Sequence, residues 1–181
     1  MIEIRIIDDK HKTDINLKNE PFKLDGLMLP SYINGSWDYI IIKFPLENQT
    51  EMKFPDENYD YDEMSGNHTF IGAYEEDRCI GLAIMRDDFF KYMYLYDLKV
   101  NAEYRGKGIG AMLIEQCKQA ALARGYRGIY TQGQDNNLGA CRFYLKCGFR
   151  IGGLNTFGYN GTSQENKKDI FFYIDALPSG K

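Results

Sequence analysis

The hydrophobic period of this chain changes across one glycine-rich segment, Arg105-Gly106-Lys107-Gly108-Ile109-Gly110. Before it, Tyr92 to Val100 is rich in aromatic and β-branched residues and reads as a strand. After it, Leu113, Ile114, Cys117, Ala120 and Ala121 recur at helical spacing from Ile109 to Arg124. A strand, a glycine turn and a helix in that order constrain the chain more than any other feature. Without Cβ atoms the turn's backbone can approach an anion closely and point N–H groups at it. The helix N-terminus adds partial positive charge, and Arg105 and Lys107 add full charges. A pyrophosphate is the natural guest, and a glycine turn that binds nothing is the alternative.

Other nucleotide loops use the same physics with different spacing. A dinucleotide fingerprint needs GxGxxG and a carboxylate about 20 residues on. Here the spacing is GxGxG, and Tyr130-Thr131-Gln132 stands where the carboxylate belongs. The GxxxxGK[ST] phosphate loop is absent. Arg105-x-x-Gly108-x-Gly110 instead fits a third pattern, [Q/R]xxGx[G/A]. A second motif follows it, Asn137-x-x-Ala140-x-x-x-Tyr144-x-x-x-Gly148-Phe149. Ala140 and Tyr144 share a helix face, where a small residue admits a ligand and a hydroxyl reaches its end. A core Tyr with a satisfied hydroxyl is the competing reading.

The rest of the chain sets these motifs in a mixed α/β fold. Ile2 to Ile7 and Trp37 to Phe44 read as strands, and residues 10–35 as loops with at most a short helix. His68 to Glu75, Arg78 to Arg86 and Tyr92 to Val100 form a meander. Gly125 ends the first helix. Gly128 to Gln132 is a strand, and Asp135-Asn136-Asn137 caps a second helix that ends near Cys147 with Gly148 behind it. Strands around Phe149–Thr156 and Asp169–Ile174 close the order β-β-β-α-β-α-β-β. A mostly antiparallel sheet with helices on both faces is expected. At 181 residues the chain is the size of one domain, 1–181.

Composition narrows the partners. A net charge of −4 disfavours nucleic acid and suits a cationic substrate. Cys79, Cys117, Cys141 and Cys147 include no CxxC pair, so no metal site is expected and free thiols are. The start lacks a signal-peptide pattern, and no apolar run nears the ~20 residues of a membrane span, so the cytoplasm is the expected location. A homodimer stays open.

The two motifs resemble the GNAT superfamily of N-acetyltransferases over roughly residues 67–174. A narrower similarity joins the chain to the bacterial streptothricin acetyltransferases. Glu20-Pro21-Phe22, Pro30-x-Tyr32 and Trp37 carry it, with Asp135-Asn136-Asn137-Leu138, Ala140-Cys141-x-Phe143-Tyr144, Cys147-Gly148-Phe149 and Ile151-Gly152. The resemblance implies acetyl-CoA as cosubstrate and no metal. It implies as acceptor an amino group on the β-lysine arm of streptothricin. The backbone of Leu98, Lys99 and Val100 would meet the pantetheine arm and the acetyl carbonyl. Arg105, Gly106, Lys107, Gly108, Ile109, Gly110 and Ala111 would hold the pyrophosphate. Asn137 and Ala140 would touch the pantetheine, and Tyr144 would protonate the leaving thiolate.

Two roles compete for the one carboxylate of this strand. Relatives of this pattern carry Glu-Asp where this chain has Tyr96-Asp97, which leaves Asp97 as the carboxylate. Strand alternation turns Asp97 away from Leu98 and Val100 and places Tyr94 and Tyr96 on their face, lining an amine channel. A structural hydrogen bond is the competing role for Asp97. Residues 47–63 carry Glu47, Glu51, Asp56, Glu57, Asp60, Asp62 and Glu63 against Lys53. That run is expected to be a loop or short exposed helix, and it could steer a cationic substrate. A protein N-terminus or polyamine as acceptor, and a non-catalytic acetyl-CoA binder, are the alternatives.

Overall fold

The structure, a computed structural model, describes residues 1–177. In chain order it contains β1 (Ile2–Ile6), a 3-10 helix (Asp9–Asn16), β2 (Phe22–Leu24), β3 (Gly26–Ile33), β4 (Ser36–Lys43), a 3-10 turn (Leu46–Asn48), β5 (Thr50–Met52), α1 (Tyr61–Met64), β6 (His68–Glu75), β7 (Arg78–Arg86), β8 (Tyr92–Val100), a 3-10 turn (Ala102–Tyr104), α2 (Ile109–Ala123), β9 (Gly128–Gln134), α3 (Leu138–Lys146), β10 (Arg150–Asn155) and β11 (Asp169–Asp175). The fold is mixed α/β with mostly antiparallel strands, and β6 to β11 keep the expected order. Among the described residues no helix is long and apolar enough to cross a membrane.

The chain divides into two units. The first holds residues 1–20, 54–129 and 175–177; the second holds 21–53 and 130–174. In the first unit β1, β6, β7 and β8 pair antiparallel in that order. One sheet face meets α2, whose Ile109, Leu113, Ile114, Cys117 and Ala121 are buried. Each large side chain buried along that stripe contributes roughly 1.5–3 kcal/mol. Gly81 allows the close approach: a Cβ there would lie 3.3 Å from Leu113. The opposite face buries Phe70, Leu82 and Ile84 under Ile7 and Ile15, with Leu17, Tyr59, Tyr61 and Met64 packed around them. The sheet is thus covered on both faces, as alternating apolar strands require.

In the second unit β9, β11 and β10 are neighbours in that order. β3 and β4 form a hairpin closed by Asn34-Gly35, both at positive φ (52° and 81°). β2 and β5 pair as a short ribbon. Leu138, the first residue of α3, packs at Gly26, where even a Cβ would clash with the Ile42 carbonyl at 2.2 Å.

Residues 10–35 depart from expectation. They hold β2 and β3 as well as a 3-10 helix. β3 escapes recognition because Pro30 interrupts its pattern, yet Pro30 pairs only with Tyr39 in a two-stranded ribbon, where a missing N–H is tolerated. β2 and β5 have three residues each, too few to show alternation.

Candidate active site

β8 carries an extra residue. Ile84 pairs with Asp97 and Met85 with Leu95, so Tyr96 falls opposite no residue of β7 and forms a β-bulge. Opposed residues of paired strands share a face. Lys99, Asp97 and Tyr94 therefore lie on the face of Leu82, Ile84 and Arg86, while Leu98 and Val100 lie with Ala83 and Gly81. Asp97 points away from the Leu98 face, as alternation predicts. The expected placement of Tyr94 and Tyr96 beside Leu98 and Val100 is wrong, because the bulge resets the alternation. The Tyr96 ring lies 5.9 Å from Tyr59 and 5.6 Å from His68, on the Asp97 side.

A charged network surrounds Asp97. Only 15% of its side chain is exposed, and it pairs with Lys99 Nζ at 3.0 Å. The Tyr59 hydroxyl donates to it at 3.2 Å. Lys99 also donates to Glu57 at 2.6 Å, and Asn19 Nδ2 donates to the same carboxylate at 2.9 Å. Burial pushes the Asp97 carboxyl above its ordinary range, and Lys99 pulls against that shift. For Glu57 burial is again the largest influence and acts upward, but the bonds from Lys99 and Asn19 together bring its carboxyl below the usual value. Burial, then the charge on Asp97, raise the Tyr59 hydroxyl. Asp97 is thus a carboxylate whose proton affinity is raised first by burial, lowered by the cation beside it and raised again by the second carboxylate beyond.

The ladder also orients the β8 backbone. Asn101 N–H donates to Ile80 O at 3.0 Å. Antiparallel bonding alternates every two residues, so Lys99 and Asp97 address β7 while the N–H and C=O of Leu98 and Val100 turn away from it. The Val100 carbonyl accepts from Arg105 Nε at 3.0 Å.

The glycine loop is fixed at its entry and open at its centre. The Ala102 N–H donates to the Glu20 carboxylate, and the Tyr104 hydroxyl to Glu75. Gly106 and Gly108 have φ of +76° and +86°, and a Cβ on either would meet nothing within 4 Å. Gly108 is the N-cap of α2 and offers no capping side chain, and no acid occupies the first turn. The amides of Ile109, Gly110 and Ala111 thus stand in a helix start built to accept an anion. Lys107 Nζ lies 4.9 Å over the Tyr104 ring, and Arg105 lies 3.6 Å from Glu20.

The second motif lies in the second unit. Asn137 caps α3, its Oδ1 accepting from the Ala140 N–H at 3.1 Å. Tyr144 is 7% exposed. Its ring packs against Phe149 and Phe172, each at 5.4 Å between centroids. Gly133 makes room: a Cβ there would sit 3.2 Å from Phe172 and 3.8 Å from Tyr144.

All four cysteines are free thiols, and burial pushes Cys79 up to about 11 and Cys141 up to about 12. At neutral pH they stay protonated, which disfavours a thiolate nucleophile. The acidic run holds β5 and then the expected loop and short exposed helix, and several of its carboxylates are engaged. Asp56 accepts from the Asn19 N–H at 2.8 Å, Asp60 caps α1, and Asp62 lies 3.2 Å from Lys12. With Glu57 on Lys99, these carboxylates anchor the segment to the protein rather than forming a solvated tail.

Residues 37–149, spanning both motifs, match the model of the Acetyltransferase (GNAT) family. The chain belongs to the GNAT family. It is therefore an N-acetyltransferase, and the cosubstrate of GNAT acetyltransferases is acetyl-CoA. Streptothricin acetyltransferase A of Bacillus subtilis is 33% identical over 160 residues, covering 88% of this chain and 92% of the relative. Streptothricin acetyltransferase of Escherichia coli is 31% identical over 113 residues, covering 62% of this chain and 65% of the relative. A Bacillus anthracis protein assigned as a streptothricin acetyltransferase, solved with acetyl coenzyme A, is 27% identical with a TM-score of 0.84, covering 97% of this chain and 98% of that one.

The GNAT cosubstrate fits the loop: open glycines at positive φ, an uncapped helix start and two cations are what a pyrophosphate requires. Gly108→Ala tests the fit. The fold has room for the methyl group, but the left-handed backbone costs a non-glycine residue about 1–2 kcal/mol. Relaxing that strain re-aims the amides that follow. Calorimetry should show CoA bound ~10-fold more weakly or worse, at about 1.4 kcal/mol per decade. An unchanged affinity would remove the loop from the cosubstrate site.

Proposed function

We propose that this enzyme acetylates an amino group of streptothricin. The observation that carries the reading is the 33% identity to streptothricin acetyltransferase A over 88% of this chain and 92% of that protein, a far longer stretch than the shared cosubstrate motifs occupy. Motifs common to all GNAT enzymes do not select an acceptor; the resemblance at Glu20-Pro21-Phe22, Pro30-x-Tyr32 and Trp37 lies outside them and supports this one.

Acetyl-CoA supplies the acetyl group as a thioester, and the chain's own residues handle the protons and the orientation. The N–H groups from Arg105 to Ala111 hold the pyrophosphate, and the backbone of Leu98 to Val100, with Asn137 and Ala140, holds the pantetheine arm. The acceptor amine, with an ordinary pKa near ~10.4, arrives protonated at neutral pH. Asp97 takes its proton through water, and its raised proton affinity suits it to do so. The amine nitrogen then bonds to the acetyl carbon as the carbon–sulfur bond breaks. Tyr144 gives its hydroxyl proton to the departing sulfur, and the second proton that the nitrogen sheds as it becomes an amide returns to Tyr144 through solvent. Tyr94 and Tyr96, on the Asp97 face, line the approach of the amine. The cytoplasm is the location that fits this reading.

Thiol release from acetyl-CoA tests the acceptor with streptothricin, spermidine and an N-terminal peptide in parallel. The expected result is release with streptothricin at a kcat/KM at least ~100-fold above the others, within the ordinary reach of polar discrimination. Comparable release with spermidine or the peptide would overturn the streptothricin reading. Release with none, despite CoA binding, would favour a non-catalytic binder.

A further inference from the structure

Glu20 belongs to a sequence motif, Glu20-Pro21-Phe22, that the chemistry above does not use. Its carboxylate accepts the Ala102 N–H across 82 residues of chain. That N–H opens the 3-10 turn Ala102–Tyr104, and a first-turn N–H has no partner inside its own helix. Asn101, the residue placed to cap it, makes no side-chain capping bond. Glu103, in the same turn, is engaged by Arg78 at 2.8 Å. Glu20 therefore supplies the cap from a distant segment. The same carboxylate lies 3.6 Å from Arg105, whose Nε is held on the Val100 carbonyl at 3.0 Å.

Glu20 is itself presented from a fixed stretch of chain. The Asn19 N–H donates to Asp56 at 2.8 Å, and Asn19 Nδ2 donates to the Pro55 carbonyl at 2.7 Å and to Glu57 at 2.9 Å. Glu57 also receives Lys99 at 2.6 Å. Asn19 and Glu20, adjacent in sequence, thus tie the Asp97 network and the entry of the glycine loop to one short segment. Beyond Arg105 the loop opens, and a Cβ on Gly106 or Gly108 would meet nothing within 4 Å. The aim of the amides that follow is therefore set at the turn where the loop begins. Attraction to the cosubstrate does not explain a carboxylate here, because an anion beside the loop repels a pyrophosphate. We infer that Glu20 is a positioning residue of the cosubstrate site: it caps the turn at Ala102 and so aims the amides of residues 106–111 at the pyrophosphate. This role rests on the reading of residues 105–111 as the pyrophosphate loop.

Two substitutions separate reach from charge. Glu20→Asp keeps the charge and falls one methylene short of the Ala102 N–H. Glu20→Gln keeps the reach, with a carbonyl oxygen to accept that N–H, and removes the charge. Calorimetric titration with CoA reads both and needs neither acceptor nor turnover. Glu20→Asp should bind CoA ~5-fold more weakly or worse, the scale of one net hydrogen bond. Glu20→Gln should bind within ~3-fold of wild type, because a partly exposed ion pair such as Glu20–Arg105 contributes little. Wild-type affinity in Glu20→Asp, or a loss in Glu20→Gln as large as that in Glu20→Asp, overturns the positioning role. Thermal unfolding shows which variants fold, and Glu20→Ala, which removes reach and charge together, replaces Glu20→Asp should that variant not fold. Gly108→Ala keeps the two readings apart. Weaker CoA binding there with unchanged binding in Glu20→Asp removes the role of Glu20 alone, whereas unchanged binding in Gly108→Ala removes the loop and the role of Glu20 with it.

Discussion

Tyr144→Phe is expected to lower kcat by ~10²–10⁴, the contribution of a positioned general acid, with the affinity for acetyl-CoA retained. The thiolate that leaves a thioester is the less stable form near neutral pH, with an ordinary thiol pKa near ~8.5. A proton delivered as the carbon–sulfur bond breaks therefore lowers the barrier. The substitution removes one oxygen and keeps the ring, which packs between Phe149 and Phe172 and beside Gly133. Loss of fold is thus not the expected cause of lost activity, and thermal unfolding checks this. Kinetics with streptothricin at saturating acetyl-CoA measures the effect. A kcat within a few-fold of wild type would leave Tyr144 as a core aromatic residue and require another proton donor.

Where regularity extends over many residues, the sequence announces the structure. β6, β7 and β8 have the bounds their alternation predicts, and α2 begins at Ile109 as the change of period requires. Asn137 caps α3, and Gly148 follows that helix at φ +90°. The glycine loop is readable because glycine spacing is a backbone property, written into the residues themselves. What stayed hidden depends on partners distant in sequence. The bulge at Tyr96 exists only against β7, so alternation alone put Tyr94 and Tyr96 on the wrong face. The pairing of Lys99 with Glu57 joins residues 42 apart, and no local pattern shows it. The bond from the Ala102 N–H to Glu20 spans 82 residues and is equally invisible to it. Asn34-Gly35 did carry a hairpin signal, and read with Trp37 to Phe44 it locates β3 despite Pro30.

Asp97→Asn should also lower kcat by ~10²–10⁴, on the scale of a lost general base, but loss of rate alone does not separate a base from a structural carboxylate. The charges around Asp97 do. A base must be ionised to act, so kcat/KM rises with pH through the Asp97 pKa, which burial has raised. Lys99 favours the ionised form and Glu57 disfavours it. Lys99→Met removes the cation, raises that pKa further and should move the acidic limb of the pH profile to higher pH. Glu57→Gln removes the neighbouring carboxylate and should move the limb to lower pH, because Lys99 still pairs with Asp97. A structural role predicts reduced thermal stability in the two neighbour variants and an acidic limb that does not move. Opposite displacements of one limb by two neutralising substitutions, together with the loss of that limb in Asp97→Asn, are what a base at Asp97 requires. If both substitutions leave the limb in place, the base lies elsewhere, and the Asp97–Lys99–Glu57 chain serves to fix residues 54–64 against the sheet.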